Sequence, residues 1–312
     1  MRSDSPFKKA VILGAAGFIG LNLTKALAAD GYELVCFDRV ISPHWPHDSI
    51  AIAGDLGEIS AALLAELDNA LVFHLISSAR PSAGTAQATT QVNQDLVATL
   101  RCLEATKSRS LRWVYFSSGG TVYGPCNAEQ IVESSATNPI CSYGLSKLVV
   151  EQYFSLYRKL HSIDYVVVRL SNPYGPWQDP LRGQGILPAL LYKALKGDSI
   201  EIWGDGSIVR DYIFIADAIA GVLAATRCGD AGETYNVGAG VGLSINQLIS
   251  IIEETLGTHI AVNYTPARSF DVPRNVLDHS KLTLRTGWRP ETSIESGVAL
   301  TAAWLKSTFK FT

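Results

Sequence analysis

The chain has 312 residues, 47% of them hydrophobic and 18% charged, with a formal net charge of −3. That composition suits a large apolar core, and a charge so near zero, without any block of one sign, excludes nucleic acid and acidic membrane surfaces as expected partners. No apolar run reaches the length of a membrane span, the start at Lys8 and Lys9 lacks a signal-peptide cleavage pattern, and five scattered cysteines without a C-x-x-C pair predict free thiols in a reducing cytoplasm.

Taken in chain order, Val11 to Leu13 reads as a strand buried on both faces, followed by Gly14-Ala-Ala-Gly17-Phe18-Ile19-Gly20 and a helix to about Ala29. Gly14 and Gly17 remove side chains where the backbone would approach a bound group. Gly20 lets the helix pack close on the strand. A helix N-terminus above such a turn offers free N–H groups to a pyrophosphate. The spacing is G-x-x-G-x-x-G rather than G-x-G-x-x-G, so the usual dinucleotide fingerprint fits only loosely. Glu33 to Phe37 is a second strand, closed by Asp38 and Arg39. An acid about twenty residues past the glycine turn accepts from a ribose 2′-hydroxyl and repels a 2′-phosphate, which favours NAD over NADP; Arg39 is the residue that would bind that phosphate instead.

His44 and His47 stand three apart in a Pro/Trp-rich loop with nothing to complete a ligand set, so no metal is expected. Strands follow at Ile50 to Ala53, before Gly54-Asp55-Leu56, and at Leu71 to Ile76, before Ser77 and Ser78. A helix over Gln91 to Lys107 and a strand over Arg112 to Phe116 complete a β-α-β-α-β pattern. It predicts a doubly wound parallel α/β sheet of the Rossmann type, with ligands at the strand C-termini. The fifth strand enters Ser117-Ser118-Gly119-Gly120-Thr121-Val122-Tyr123-Gly124. Then Ser142-Tyr143-Gly144-Leu145-Ser146-Lys147 opens a helix to about Leu160, and a strand from Tyr165 to Leu170 ends in Ser171-Asn172-Pro173-Tyr174. Beyond this point periodicity weakens. Helices are expected at Ile186 to Leu195, Ala216 to Thr226, Ser244 to Leu256 and from Ser293, with short strands at Ile200 to Trp203 and Thr234 to Val237.

Tyr143 and Lys147 lie one turn apart on one helix face. A phenol with a pKa near 10 is a weak base at neutral pH, and bringing it to 7 takes about 4 kcal/mol. A neighbouring ammonium supplies part of this, and the positive ring of an oxidised nicotinamide more. With a hydroxyl from the end of the fifth strand, the set suits removal of a proton from an alcohol as hydride leaves its carbon.

Taken together, these motifs resemble the extended short-chain dehydrogenases/reductases, in the NAD-dependent nucleotide-sugar epimerase/dehydratase group. The resemblance rests on G-A-A-G-F-I-G at 14–20, F-D-R at 37–39, G-D-L at 54–56, S-S-G-G-T-V-Y-G at 117–124, Y-G-L-S-K at 143–147, R-L-S-N-P-Y-G-P at 169–176, G-D-G-S-I-V-R-D-Y at 204–212 and D-x-P-R at 271–274. It implies a Rossmann-type unit over 1–171 plus about 211–240, and a smaller, discontinuous nucleotide-sugar unit over about 172–210 plus 241–312. It implies that Asp38, Arg39, Asp55 and Leu56 surround the adenosine, and that Lys147 grips the nicotinamide ribose. On the substrate side it implies Asn172, Arg210 and Arg268 on the diphosphate of a UDP-sugar, Ile186, Leu187 and Trp203 around uridine, and a homodimer through the helices at 91–107 and 143–160. Two departures stand out. Where most relatives carry the catalytic hydroxyl this chain has Gly119, leaving Ser118, or else Thr121. The acid that 4,6-dehydratases carry before V-Y-G is also missing, which points to 4-epimerisation. Four residues past Asp271, a position often occupied by tyrosine in plain-hexose relatives holds the smaller Asn275. That implies room for a 2-N-acetyl group, hence UDP-GlcNAc/UDP-GalNAc, with UDP-Glc/UDP-Gal beside it. A 4-ketoreductase using free NAD(P)H, a dehydratase-like enzyme and a non-catalytic NAD-binding regulator are the remaining alternatives.

Overall fold

The computed structural model describes residues 6–78, 88–183, 185–267 and 272–311. Seven strands form one all-parallel sheet in the order β10-β6-β5-β4-β1-β2-β3. They are β1 Lys9–Leu13, β2 Glu33–Asp38, β3 Ile50–Ala53, β4 Ala70–His74, β5 Leu111–Ser118, β6 Asp164–Leu170 and β10 Glu233–Val237. The period of two sends alternate side chains to opposite faces. Ala10, Ile12, Cys36, Phe73, Val114 and Val166 join one core with α1 Phe18–Ala29 and α7 Ile215–Cys228. Val11, Leu13, Val35, Val72, Trp113 and Val167 join the other with α4 Ala98–Thr106 and α5 Ser142–His161. Covering both faces is what a near-continuous apolar strand requires. Strand order reverses between β1 and β4, so the crevice at their C-terminal ends is where such a sheet binds ligands.

The predicted elements of this sheet are present, with shifted ends: β4 stops at His74, and β5 continues to Ser118. The predicted helix at 91–107 is three segments. α3 Ala88–Gln91 leads into a π-helical Val92–Val97 and then α4. α2 Ala61–Glu66, capped by Ser60, is an element sequence periodicity does not indicate.

The second layer is built from short strands. β9 Val209–Phe214 pairs with β7 Asn172–Tyr174, β11 Gly242–Ser244 and β13 Arg274–Asn275. β8 Ile200–Trp203 pairs with β12 Val262–Thr265. After β9 the chain enters α7, which packs on α1 and β6. α6 Ile186–Lys196, α8 Ile245–Leu256 and α10 Ile294–Thr308 pack with one another, and α8 opens with a Ser244/Gln247 capping box. α9 Ser280–Thr286 lies against α7 and β10.

Asp211 of β9 ties the layers together. Its buried carboxylate accepts from the backbone N–H groups of Ala239 (2.8 Å), Gly240 (3.3 Å) and Leu277 (3.1 Å). Burial pushes its pKa up to about 6. All five cysteines are free, and among the described residues no helix is long and apolar enough to cross a membrane.

Candidate active site

The glycine turn is built on the backbone. Gly14 has φ +96°, a region that favours glycine, and its N–H and that of Ala15 donate to the Phe37 carbonyl (2.9 and 3.1 Å). A Cβ on Gly20 would fall on the Gly14 carbonyl oxygen and lie 2.8 Å from Ala15 Cα, so only glycine lets α1 seat this closely. Gly17 is different: its nearest protein neighbour would be the Gly14 oxygen at 3.5 Å. Space is left there for a ligand rather than for packing. Gly17 caps α1 without a side-chain bond, and the first turn, with Phe18, Ile19 and Gly20, carries no acid, so its N–H groups remain available to an anion. Asp38 braces the turn, accepting from Ala16 N–H (2.9 Å) and Arg39 N–H (2.7 Å). Trp45, buried in the predicted Pro/Trp loop, donates from Nε1 to the Ala15 carbonyl (3.1 Å). Asp55 accepts from Gly57 N–H (2.8 Å), and Arg39 is exposed. These features fit a dinucleotide: a cradle with no Cβ, a helix N-terminus for its pyrophosphate and a carboxylate at the end of β2.

Facing this turn across the sheet is the N-terminal part of α5. Cys141 caps it, accepting from Gly144 N–H (3.5 Å). Gly144 is required because a Cβ there would lie 2.8 Å from the Thr121 carbonyl oxygen. Lys147 is only 6% exposed and donates to the Phe116 carbonyl (2.9 Å), with Nζ 5.8 Å from the centre of the Tyr143 ring. Burial pulls its pKa down to about 8, against the opposing charges of Asp95 and Glu151. The Tyr143 phenol is pushed well above its ordinary range, first by burial and then by the Asp95 charge, while a hydrogen bond with Ser118 works the other way. The expectation that Lys147 brings the phenol down is therefore not met by the chain's own groups: desolvation dominates, and acidification falls to a positive charge brought into the crevice.

Of the two hydroxyl candidates, Ser118 is bonded to Tyr143, whereas the Thr121 hydroxyl is buried without a partner. Gly119 has a packing reason. A Cβ there would fall on Leu277 Cδ1, lie 3.0 Å from Cδ2 and 3.2 Å from the Arg169 carbonyl oxygen. A Cβ on Gly120 would stand 3.9 Å from both Ser118 Oγ and Asn172 Oδ1, so serine and asparagine border the same open space.

On the other side of the crevice, Asn172 donates to the Asp211 carbonyl (2.9 Å) and Arg210 to the carbonyls of Val209 (2.9 Å) and Val272 (2.6 Å). Asn275 is 1% exposed and donates to the Gly119 carbonyl (3.0 Å), with its Oδ1 unpartnered. Ile186 starts α6, and Trp203, 43% exposed, ends β8. Leu56 and Leu187 are buried in the two cores. Arg268 and Asp271 lie outside the described residues.

Sequence reasoning passed over the buried groups beneath this site. Glu151, one turn past Lys147, accepts from the Ser117 hydroxyl and from Arg169 Nη2 (2.6 Å), whose Nη1 reaches the Tyr123 hydroxyl (3.0 Å). Asp95 accepts from Ser77 Oγ (3.0 Å) and Ser78 N–H (2.7 Å). The available signal was a charged residue recurring on the apolar side of a helical pattern. Among the described residues no group of metal-ligating side chains converges.

A parallel seven-stranded sheet with a glycine turn at β1, an acid at the end of β2, and a Ser-Tyr-Lys set at β5 and α5 defines a dinucleotide-dependent enzyme that works on a hydroxyl carbon. The sequence profile of the NAD dependent epimerase/dehydratase family matches residues 10–238. The chain is similar to the UDP-glucose 4-epimerase of Mycolicibacterium smegmatis, 31% identical over 96% of this chain and 99% of that one. Among solved structures it is similar to the UDP-glucose 4-epimerase of Thermus thermophilus in complex with NAD, with TM-score 0.90, 27% identity, and 96% and 100% of the two chains covered. It is equally similar to the UDP-N-acetylglucosamine 4-epimerase of Methanobrevibacter ruminantium in complex with UDP-N-acetylmuramic acid, with TM-score 0.90, 26% identity and 98% and 100% covered. This chain belongs to the NAD-dependent epimerase/dehydratase family, and NAD is its cofactor.

Proposed function

We propose that this chain is a UDP-sugar 4-epimerase. The observation that carries the reading is the Ser118–Tyr143 hydrogen bond above Lys147, at the C-terminal end of β5, with no acid among Gly119, Gly120 and Thr121 to drive elimination. When bound, NAD supplies a reversible hydride acceptor. Tyr143 takes the proton of the sugar C4 hydroxyl and later returns one to the same oxygen, which Ser118 holds by a second hydrogen bond. Lys147 keeps a positive charge beneath the pair. Asn172, Arg210 and Arg268 anchor the diphosphate as planar donors, with Asp271 beside them, so the 4-keto sugar turns over about a fixed point and is reduced on its other face. Ile186, Leu187 and Trp203 surround the uridine. The nucleotide-binding unit and the discontinuous sugar-binding unit meet across this crevice.

The preferred sugar is an N-acetylhexosamine. Asn275 supports this, because it sits against Gly119 beside the Ser118 loop and fills less of the site than a tyrosine. A homodimer through the helical stretch at 91–107 and α5 is supported by the exposed apolar residues Val92, at the start of the π-helical turn, and Leu145, Leu156 and Leu160 of α5. The unpaired thiols support a cytoplasmic location.

The test is incubation with UDP-GlcNAc, UDP-GalNAc, UDP-Glc and UDP-Gal without added cofactor, followed by product analysis. C4 inversion with faster turnover of the acetylated pair is expected, and Asn275→Tyr reverses that preference. Loss of water from the sugar, or a need for free NAD(P)H as the exposed Arg39 would favour, overturns the assignment. An Asn275→Tyr enzyme with unchanged preference overturns the choice of sugar.

A further inference from the structure

Beneath Tyr143 and Lys147 lies a cavity of about 10 Å³, lined among others by His74, Ser77, Asp95, Thr99 and Tyr115. The groups facing Lys147 come from four elements. From β4 comes His74, fully buried. Thr99 spends its one hydroxyl proton on the Asp95 carbonyl (2.6 Å), so it accepts from His74 Nε2 (2.8 Å); this sets the Nε2–H tautomer and leaves Nδ1 without a partner. From β5 come the Phe116 carbonyl and the Tyr115 ring, its centre 5.0 Å from Nζ. From α5 itself come Tyr143 and Glu151, and from the π-helical turn comes Asp95.

The two carboxylates are not equivalent. Glu151 is spent on Arg169, both of them buried, so its charge is already balanced. The bonds to Asp95 come from two neutral donors, the Ser77 hydroxyl and the Ser78 N–H. Asp95 is 9% exposed, on the same buried side as Gln91 and Thr99, whereas residues 93 and 94 of this π-helical turn face solvent.

We propose that Asp95 is a positioning residue for the Tyr143/Lys147 pair: its carboxylate, held by Ser77 and Ser78 over the buried cavity, is the uncompensated counter-charge that keeps Lys147 protonated and sets the pH window of the reaction. The inference rests on Tyr143 and Lys147 being the reacting pair. His74 serves the arrangement by staying neutral. Burial and the Lys147 charge hold its pKa at about 3, so no imidazolium competes with Lys147 for the Asp95 charge.

Asp95 raises the pKa of both its neighbours, since a negative charge favours the ammonium and disfavours the phenolate. Its removal therefore moves both titrations the same way, to lower pH. In Asp95→Asn the whole bell of kcat against pH shifts acidward by about one unit, so on its alkaline side turnover falls about ten-fold further than at the optimum. The KM for the UDP-sugar stays within about two-fold, because uniform binding is untouched. Phenolate absorbance of the enzyme as isolated, referenced to the same protein with Tyr143→Phe, moves acidward in parallel. This readout uses no sugar, so it stands even if no UDP-sugar turns over. Asp95→Glu restores the wild-type window because the charge returns. A bell that keeps its position at reduced height with an unmoved phenolate titration, or an Asp95→Glu enzyme that behaves as Asp95→Asn does, overturns the proposal.

Discussion

At the scale of single residues, the site is a contest between burial and charge. Tyr143 and Lys147 each lose solvation, and each is driven towards its neutral form. The protein alone thus holds a phenol that is a poor base, and base strength is recovered when a positive charge enters the crevice beside Tyr143. Tyr143→Phe removes the proton acceptor and the Ser118 bond but leaves the glycine turn, Asp38 and the Arg210 side of the cleft intact. Turnover is expected to fall by at least about a hundred-fold, the scale of one general base. Binding of NAD and UDP-sugar by calorimetry is expected to stay near wild type. A Tyr143→Phe enzyme with near-normal turnover refutes its role.

At the scale of elements, what matters is how closely segments approach. The loop after β5 has two consecutive glycines for different reasons. Gly120 borders open space shared by Ser118 and Asn172, while Gly119 is pressed under Leu277, a fully buried residue just past β13. Any side chain at position 119 needs room that Leu277 occupies. Gly119→Ala should cost about 1–3 kcal/mol by overpacking, read from the urea midpoint. Combining it with Leu277→Ala should recover part of that loss, because the two residues are in contact and their effects do not add. Strict additivity would show that the strain lies elsewhere, for instance against the Arg169 carbonyl.

Across the whole molecule, two buried titratable groups pull the pH dependence of stability in opposite directions. His74 has a folded-state pKa of about 3, below the unfolded value near 6.5, so its contribution is present above pH 6.5 and is lost as pH falls towards 3. Asp211, raised to about 6, contributes below the unfolded value near 3.9, and this is lost as pH rises through 6. Between pH 7 and 5 the loss from His74 runs from 6.5 down to 5, a longer span than the gain from Asp211 between 6 and 5, so acidification over this interval should destabilise the wild type. His74→Gln, which cannot take up the proton, should lose less over the same interval in urea titrations. An equal loss in both proteins would place the acid sensitivity in other groups.

Much was legible in the chain itself. Near-continuous apolar runs such as Val11 to Leu13 can be buried only between two helical layers, so they announce a parallel sheet. The glycine spacing, Asp38, Ser118, Tyr143 and Lys147 are local signals, because a turn, a strand end and one helical turn bring the needed atoms together over a few residues. The strands β7, β9, β11 and β13 were not legible: they are two to six residues long and are held by partners far away in sequence. Nor were the partners of the reacting pair. That Leu277 forbids a side chain at 119, that Asn275 reaches the Gly119 carbonyl and that Asp95 turns inward under Lys147 depend on packing between segments more than 35 residues apart. The sequence by itself determined which chemistry the chain carries. Only the tertiary structure decided the charge and solvation around it, because desolvation and Coulomb energies depend on neighbours in space and not in sequence.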